Sequence, residues 1–418
     1  MSRWPRKRLR FLLSKTIPAA SRRLMEQADE VTFLPMEAIG EQGELDTSRV
    51  IKFDEASAGY TLFFDGDVVV AKITPCFENG KGALIEATAT GLGLGTTELY
   101  VLRPSVNLDG KYLYYITADP AFRILGETQM TGAAGQKRVP EDFVRDYVVD
   151  VPSLSEQRHI SQYLDTEICT IDKLISTKAA WLDLLAEKRR AIVAEAVMRG
   201  LNPTARLRRS GIDWLGDIPV HWEVKRSKWL FEERDERSTA GSEVLLSLRM
   251  ERGLVPHNEV SEKLTRPEEL IGYKKTSVGQ LVINRMRAAT GLIAIATQDG
   301  LVSPDYAVFR PSPEVSADYY VEMFKTPLLQ AVFRSESTGL GTGSQGFLRL
   351  YSQNFLALWF PCPPLDEQHE IVRHIATETA KIDQLRAATE HSITLLNERR
   401  GALIAAAVTG QIEVREAA

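Results

Sequence analysis

The sequence has no long apolar run and few cysteines. No stretch reaches the roughly 18 consecutive apolar residues of a membrane helix, so we expect no membrane span. The basic start MSRWPRKRLRFLLSK has too short an apolar segment for a signal peptide. Cys76, Cys169 and Cys362 lie far apart, which argues against a disulfide framework or a zinc cluster. These absences predict a protein of the reducing cytoplasm.

Catalytic motifs are also missing from the sequence. It contains no GxxxxGK[ST] phosphate loop, no HExxH, no paired-cysteine motif and no GxSxG elbow. Asn202 and Pro203 match the first two residues of the adenine-methyltransferase signature, and Pro304-Asp305 begins like a nuclease motif. We interpret the first as the end of a helix and the second as a turn before a strand. The sequence therefore offers no recognisable catalytic or metal-binding motif.

The charge is weakly negative overall but unevenly distributed. A net charge of −5 argues mildly against a general nucleic-acid binder. Residues 1–25, however, contain eight Lys or Arg and no acidic residue, and Arg285 and Arg287 bracket a methionine. Such clusters permit contacts with phosphate, although most basic runs are solvated surface.

The chain contains an internal duplication with a period near 211 residues. Residues 152–198 and 363–409, aligned without gaps, are identical at 18 of 47 positions. The preceding segments correspond more weakly: GDVVVAKI matches GQLVINRM, YVLRP matches YAVFRP, and Trp4 matches Trp222. Each repeat is thus a variable globular part followed by a better-matched helical part.

Apolar residues at three- and four-residue spacing predict one long amphipathic helix in each repeat. We expect Ser155 and Asp366 to cap the helices and Gly200 and Gly410 to end them. A helix of some 44 residues is about 66 Å long, so it needs a packing partner, and the other copy is the obvious one. The predicted seam of this antiparallel pair consists of Ile160, Ile171, Leu185, Ile371, Ile382 and Leu396.

The globular parts contain short β-rich segments, several closed by proline, with weakly helical stretches at 111–125 and 318–333. The predicted fold is mixed α/β of the α+β class: two globular domains joined by two long antiparallel helices, with a pseudo-twofold internal repeat. The predicted boundaries are 1–151 for the first domain, 152–201 for the first helix, 202–362 for the second domain with a linker at 202–221, and 363–418 for the second helix.

The helical pattern PxLxEQxxIxxxLD…ID, closing on Gly200 and followed by SGIDWLGDIPVHWEV, resembles the DNA-specificity subunit of type I restriction-modification enzymes. The resemblance covers nearly the whole chain. The matching residues of the first copy are Pro152, Leu154, Glu156, Gln157, Ile160, Leu164, Asp165, Ile171, Asp172, Leu185, Glu187 and Arg189. The second copy matches at Pro363, Leu365, Glu367, Gln368, Ile371, Ile382, Asp383, Leu396, Glu398, Arg400 and Gly410.

The resemblance implies a non-catalytic subunit with two target-recognition domains that read the halves of a bipartite, asymmetric site in double-stranded DNA. Its partners would be two methylation subunits, which bind S-adenosylmethionine and methylate adenine, and two restriction subunits, which use ATP and Mg and cleave DNA. An adenine must leave the helix stack before it is methylated, so the reader has to hold the duplex in register. Two alternatives are a fragment of a single-chain restriction enzyme and a helical scaffold whose domains bind protein or sugar.

Candidate DNA-contacting residues are polar or cationic side chains at strand ends and in the glycine-rich loops, because Arg, Lys and Gln reach phosphate, guanine and adenine. In the first domain these are Lys72, Lys81, Gln136, Lys137 and Arg138. In the second domain they are Arg285, Arg287, Ser344, Gln345 and Arg349.

Overall fold

The computed structural model describes residues 4–53, 59–86, 88, 90–133, 135–262, 265–340 and 347–414. Two of its helices are far longer than the others. The described helices are α1 (Ala19–Gln27), α2 (Gly110–Ala118), α3 (Pro120–Thr128), α4 (Glu141–Asp146), α5 (Leu154–Arg199), α6 (Ser227–Leu230), α7 (Ala317–Phe324), α8 (Pro327–Ser335), α9 (Ser352–Ala357) and α10 (Leu365–Val408). Single 3-10 turns lie at Leu9–Phe11, Met36–Ala38, His257–Glu259, Pro267–Leu270 and Ala288–Thr290.

The strands are short and fall into two groups. Before α5 lie β1 (Arg6–Arg8), β2 (Glu30–Leu34), β3 (Val50–Lys52), β4 (Thr61–Phe64), β5 (Val68–Ala71), β6 (Gly82–Leu84), β7 (Leu92–Gly95), β8 (Leu99–Leu102) and β9 (Val148–Asp150). After it lie β10 (Leu207–Arg209), β11 (Asp217–Pro219), β12 (Glu223–Arg226), β13 (Phe231–Arg234), β14 (Leu246–Arg249), β15 (Gly253–Pro256), β16 (Lys274–Thr276), β17 (Leu281–Asn284), β18 (Ile293–Ile295), β19 (Gly300–Val302), β20 (Tyr306–Pro311), β21 (Thr338–Leu340), β22 (Phe347–Arg349) and β23 (Trp359–Cys362).

Backbone contacts divide the chain into two compact units. Unit 1 consists of Met1–Ala179 and Glu390–Ala418, and unit 2 of Ala180–Thr389. Each unit therefore holds the first part of one long helix and the last part of the other. The four-segment boundaries drawn from the sequence stay a prediction, whereas the mixed α+β class with two long helices is confirmed.

Unit 1 is built on two sheets. One has the strand order β3-β2-β7-β4, with β2 and β7 parallel, and the other is the antiparallel sheet β6-β5-β8. Every residue of β5 is buried, which suits its VVVA sequence. The pair β1-β9 leads into α5. The core beneath β5 includes Ile160, Leu164 and Ile168 of α5, together with Ile404 and Val408 of α10.

Unit 2 repeats part of this plan. Its largest sheet has the order β13-β20-β17-β18, in which β17 and β20 correspond to β5 and β8, and β12-β23 corresponds to β1-β9. Two-stranded ribbons β10-β11, β14-β15, β16-β19 and β21-β22 surround it. An aromatic cluster fills the core, and it includes Tyr319, Tyr320, Phe324, Phe355 and Phe360.

The predicted β-rich segments are strands, but the two predicted helical stretches are interrupted. Asp119 ends α2, and its carboxylate accepts from the Ala121 backbone N–H at the start of α3. Thr326 does the same between α7 and α8 by accepting from Leu329. A proline opens the second helix of each pair, because its missing N–H costs nothing at a first turn. Among the described residues, no helix is long and apolar enough to cross a membrane.

The start of α5 is set by Ser153 rather than by Ser155. The Ser153 hydroxyl accepts from the Glu156 N–H at 3.4 Å, and the Glu156 carboxylate accepts from the Ser153 N–H at 3.0 Å. This reciprocal arrangement is a capping box. The predicted cap at Ser155 is therefore wrong, since that residue lies inside the helix. Asp366 likewise lies in the first turn of α10, where its charge suits the positive end of the helix dipole, and it is not the cap.

The predicted helix ends are confirmed, and each touches a tryptophan. Gly200 and Gly410 have φ values of +76° and +70°, which favour glycine. A Cβ on Gly200 would lie 3.2 Å from the Trp222 ring, and one on Gly410 would lie 2.9 Å from the Trp4 ring. Both rings are buried. The match between the two tryptophans therefore reflects one packing arrangement made twice.

A buried glutamine fixes the start of each long helix to its own unit. The Gln157 side chain accepts from the Asp109 N–H at 2.7 Å and donates to the Asn107 carbonyl. Gln368 makes the same contacts, accepting from Ser316 at 2.8 Å and donating to Glu314. Both glutamines are fully buried, so the hydrogen bonds offset the cost of removing an amide from water. This explains the repeated Glu-Gln pair.

Candidate nucleic-acid interface

A charged cluster lies in unit 1 where β8 begins. The guanidinium of Arg138 donates to both carboxylate oxygens of Glu98, at 2.8 and 2.7 Å. The ammonium of Lys72, at the end of β5, lies 5.4 Å from the centre of the Tyr100 ring. We call Lys72, Glu98, Tyr100 and Arg138 the Glu98 cluster. It brings together two of the five DNA-contacting residues predicted in the first domain.

The other three predicted residues of this domain border the same loops. The Lys81 ammonium donates to the Met36 carbonyl at 2.9 Å, so this side chain holds the fold together. Gln136 and Lys137 are exposed, and the Lys137 carbonyl accepts from the Thr74 N–H. This bond ties the 131–138 loop to the loop after β5. Of these three residues, Gln136 and Lys137 are the ones whose side chains are exposed to solvent.

The loop between β5 and β6 depends on a buried arginine that the sequence did not point to. Arg123 of α3 donates to the carbonyls of Phe77 and Gly80, at 3.2 and 3.1 Å. Its guanidinium lies 5.0 Å from the centre of the Phe77 ring, and only 8% of the residue is exposed. Burial lowers the pKa of Arg123 to about 10. The buried Arg123 side chain thus holds the loop that carries Lys72 and Lys81 at its two ends.

A matching cluster lies in unit 2 where β20 begins. Arg349 of β22 forms an ion pair with Asp305 and lies 5.8 Å from the centre of the Tyr351 ring. Arg285, after β17, donates to the carbonyls of Asp305 and Pro304, at 2.7 and 3.0 Å. We call Arg285, Asp305, Arg349 and Tyr351 the Asp305 cluster.

The remaining predicted residues of the second domain differ in position. Arg287 is exposed. Burial raises the pKa of the nearby Tyr306 phenol, and the charge of Arg287 opposes this to a smaller extent. Ser344 and Gln345 lie outside the described residues. The turn interpretation of Pro304-Asp305 fits the structure, in which both carbonyls accept from Arg285 just before β20.

The two clusters share one design. In each unit an acidic residue stands directly before the strand that pairs with β5 or β17, and an arginine that follows the glycine-rich segment binds it. Sequence reasoning found the cations and missed Glu98 and Asp305. A signal was present, because an acidic residue precedes each of the matched segments LYVLRP and YAVFRP.

The Glu98 carboxylate gives unit 1 a predicted pH dependence. The hydrogen bonds from Arg138 lower the pKa of Glu98 below its usual 4.5. A carboxyl group with a lowered folded pKa contributes stability above its unfolded pKa and loses it as pH falls through the folded value. We therefore expect the backbone amides of residues 131–133 and 135–138 to exchange hydrogen faster below about pH 4.5, relative to the rest of unit 1. Glu98→Gln should show the faster exchange already at pH 7, and an unchanged loop in that variant would contradict the assignment.

The two long helices are joined by two symmetry-related ion pairs. In unit 1 the Arg400 Nε lies 3.7 Å from the Asp172 carboxylate, and in unit 2 the Arg189 Nε lies 3.6 Å from that of Asp383. Asp172 and Asp383 are 211 residues apart, and so are Arg189 and Arg400. Both pairs join an earlier position on one helix to a later position on the other, as in an antiparallel arrangement.

The residues of the predicted seam are not equally buried. Ile160, Ile171, Ile371 and Ile382 are 0–5% exposed, whereas Leu185 and Leu396 are only partly buried. Ile160 belongs to the core of unit 1 with Ile404, and Ile371 to the core of unit 2 with Val197. The complete six-residue seam stays a prediction.

The two ion pairs should differ in strength. Both partners of the Arg189–Asp383 pair are about half exposed (46% and 56%), so Asp383→Asn should lower the free energy of unfolding by less than about 0.5 kcal/mol. The Arg400 side chain is only 14% exposed, and Arg400→Met leaves Asp172 without its cation. We expect this substitution to lower the free energy of unfolding, measured with urea, by about 1–2 kcal/mol. Equal effects of the two substitutions would contradict this ranking.

No metal centre accompanies these clusters, since the described part of the chain contains no group of three or more His, Cys, Asp or Glu side chains able to hold an ion. What the clusters offer is fixed cations beside aromatic rings at strand ends. Arginine and lysine in this setting bind phosphate and base edges.

Comparison with known proteins shows which proteins the chain is similar to. No protein-family model matches the chain. The specificity subunits of the type I restriction enzymes EcoEI and EcoAI of Escherichia coli are 41% and 43% identical to it over 137 and 139 residues. Each match covers 32% of this chain and 23% of the relative, so the chain spans about a quarter of the length of these relatives.

Solved structures resemble the chain over nearly its whole length. A chain from a structure that concerns complex assembly and conformational transition of the type I R-M system superposes with a TM-score of 0.74, at 17% identity and 98% coverage of both chains. The HsdS subunit from Thermoanaerobacter tengcongensis has a TM-score of 0.59, at 17% identity, with 98% of this chain and 97% of that chain covered. These matches show the fold. Over about a third of its length, the chain is similar in sequence to specificity subunits of type I restriction enzymes.

Proposed function

We propose that the chain is the non-catalytic subunit that reads a bipartite, asymmetric sequence in double-stranded DNA for a type I restriction-modification complex. Unit 1 would read one half of the target through the Glu98 cluster, and unit 2 the other half through the Asp305 cluster. The observation that carries the proposal is the repetition of one cation-bearing strand end in both units. Because the two clusters differ in sequence, the two half-sites differ and the target is not a palindrome.

The proposed partners follow from the similarity to type I specificity subunits. Two methylation subunits would bind S-adenosylmethionine and methylate one adenine in each half-site, and two restriction subunits would use ATP and Mg to cleave DNA. The chain itself would bind no cofactor and would act in the cytoplasm, where the DNA is. Its contribution is to hold the duplex in register while a partner takes the flipped base.

The residues proposed to contact DNA fall into two groups. Gln136, Lys137 and Arg287 are exposed and free to reach bases or phosphates. Lys72, Arg138, Arg285 and Arg349 are held by ring, acid or carbonyl contacts, which fixes the direction in which they present charge. Lys81 is bound to the Met36 carbonyl and contributes mainly by shaping the loop.

The test is to sequence methylated adenines in DNA from cells that express the chain with its methylation subunits. We expect Lys137→Ala to relax base preference in one half-site and Arg287→Ala to relax it in the other, at about 1–3 kcal/mol per lost base contact. Arg334→Ala, which removes an exposed cation from α8, is the control and should leave the motif unchanged. Relaxation of both halves by either single substitution would contradict separate reading by the two units.

A further inference from the structure

Each unit exposes a large aromatic ring shortly after one strand, β1 in unit 1 and β12 in unit 2. Phe11 in unit 1 is 72% exposed, and Trp229 in unit 2 is 68% exposed. The rings occupy corresponding positions in the two units. Phe11 lies three residues after Arg8, the last residue of β1, and Trp229 lies three residues after Arg226, the last residue of β12. An exposed ring that recurs at one position of a duplicated fold points to a contact surface.

An exposed apolar residue lies on the segment that is hydrogen-bonded beside each ring. In unit 1 the Ser105 N–H donates to the Leu12 carbonyl at 2.9 Å, and the neighbouring Val106 is 88% exposed. In unit 2 the Ser312 N–H donates to the Leu230 carbonyl at 2.9 Å, and Trp229 and the exposed Pro313 line one pocket.

Basic residues border both rings. Arg8 and Arg10 precede Phe11 and share one carboxylate, that of Asp146. We define the first corner patch as Arg8, Arg10, Phe11 and Val106, and the second corner patch as Arg226, Lys228, Trp229 and Pro313. In the second patch the Lys228 ammonium lies 5.0 Å from the centre of the Trp229 ring, and the Arg226 guanidinium lies 5.2 Å from that of Trp359. Each corner patch is thus apolar at its centre and positive at its edge.

The corner patches lie at the opposite strand ends from the clusters proposed to read DNA. Glu98 directly precedes β8, whereas Val106 follows its end, and Asp305 precedes β20, whereas Pro313 follows it. A strand of the six residues of β20 is about 20 Å long at about 3.3 Å per residue. DNA bound at the Glu98 or Asp305 cluster would therefore leave the corner patch of that unit uncovered. The exposed rings also fit an apolar protein surface better than the polar backbone of a duplex.

We propose that the two corner patches dock two copies of one protein, one on each unit, through an apolar recess bordered by acidic side chains. Duplication of the patch fits a partner present twice, and the cations favour an acidic border. The ring would be the anchor, since a buried aromatic side chain commonly dominates an interface. The inference rests on the proposed function, in which methylation and restriction subunits are each present twice. It assigns the patches to the methylation subunit, because that partner has to be held beside the duplex that the chain reads.

The experiment counts methylation subunits bound to each chain. Purified complexes of the chain with its methylation subunit would be weighed by native mass spectrometry for the wild type, Phe11→Ser, Trp229→Ser and the double variant. We expect two, one, one and no bound subunits at a concentration about ten times the wild-type Kd, with affinity at the altered site lowered at least about a hundredfold. Val278→Ser, which changes another exposed apolar residue of unit 2 (64% exposed), is the control and should retain two.

Reversing the charge of one basic residue in each corner patch is a second test of the docking proposal. Arg10→Glu and Lys228→Glu should each weaken the binding of one subunit, with the largest effect at low salt. Circular dichroism should show unchanged folding, because these side chains lie at the surface.

The outcomes separate the inference from the function on which it rests. Two bound subunits in the double variant would overturn the docking proposal and leave the proposed function intact. Loss of duplex affinity by the chain alone would show that the corner patches contact DNA, which also overturns it. A changed mass of the chain without partner would assign the patches to self-association instead. A wild-type chain that binds no methylation subunit would overturn both proposals.

Discussion

Under the proposed function, replacing Arg349 by methionine should abolish recognition of one half of the DNA target and leave the other half intact. Arg349 neutralises Asp305, and it lies against the ring of Tyr351. Methionine keeps the packing volume but removes the cation, so the Asp305 carboxylate would face the phosphates unopposed. We expect duplex affinity to fall by about 30- to 100-fold, which is about 2–3 kcal/mol, a larger loss than for removal of the exposed Arg287.

The measurement is fluorescence anisotropy with duplexes altered in one half-site at a time, in the complex with methylation subunits. Arg349→Met should make the affinity indifferent to sequence in one half only. Arg138→Met, the counterpart in unit 1, should affect the other half. The double variant Arg349→Met/Asp305→Asn should recover part of the loss, because it also removes the unopposed acid. A uniform loss for every duplex would instead assign Arg349 to a phosphate contact without base discrimination.

Replacing Ile371 by aspartate should unfold unit 2 or prevent its accumulation in soluble form. Ile371 is fully buried in the core that also contains Val193, Ala196 and Val197 of the other long helix. A carboxylate in that position has to lose its hydration without a partner, which costs several kcal/mol in addition to the lost apolar contacts. We expect a loss of at least about 4 kcal/mol, a large share of a typical stability.

The same helix supplies a matched control. Leu385 is 51% exposed, so Leu385→Asp should change the free energy of unfolding by less than about 0.5 kcal/mol. Leu185→Asp, at a partly buried position of the predicted seam, should fall between the two. Urea unfolding followed by circular dichroism gives the ranking. Wild-type stability in Ile371→Asp would show that the long helices are not joined through this face.

The long helices could be predicted from the sequence because their signal is local and repeated. Apolar spacing fixes the helical face, and glycine fixes the end, since Gly200 has to adopt a positive φ. The start was misplaced, because Ser153 and Ser155 are both good capping residues on composition alone. What distinguishes them is Glu156, three residues after Ser153, which completes the capping box.

The pairing of charges was beyond the sequence. Arg138 and Glu98 are 40 residues apart, and Arg349 and Asp305 are 44 residues apart. Such pairs depend on which strands lie side by side, and apolar alternation predicts the existence of strands rather than their neighbours. Arg123 shows the same limit, because its surroundings of Phe77 and Phe122 turn an ordinary helical arginine into a buried support of a loop.

The division of the long helices between the units sets an order for folding during synthesis. Unit 2 is one continuous stretch of chain, so all of its contacts are available once residue 389 has left the ribosome. Unit 1 begins at the N-terminus, yet its core includes Ile404, Ala407 and Val408, and the buried ring of Trp4 lies against Gly410. Unit 1 is therefore synthesised first but completes its core last. Until the end of α10 is synthesised, the apolar face of the unit 1 strands stays partly uncovered.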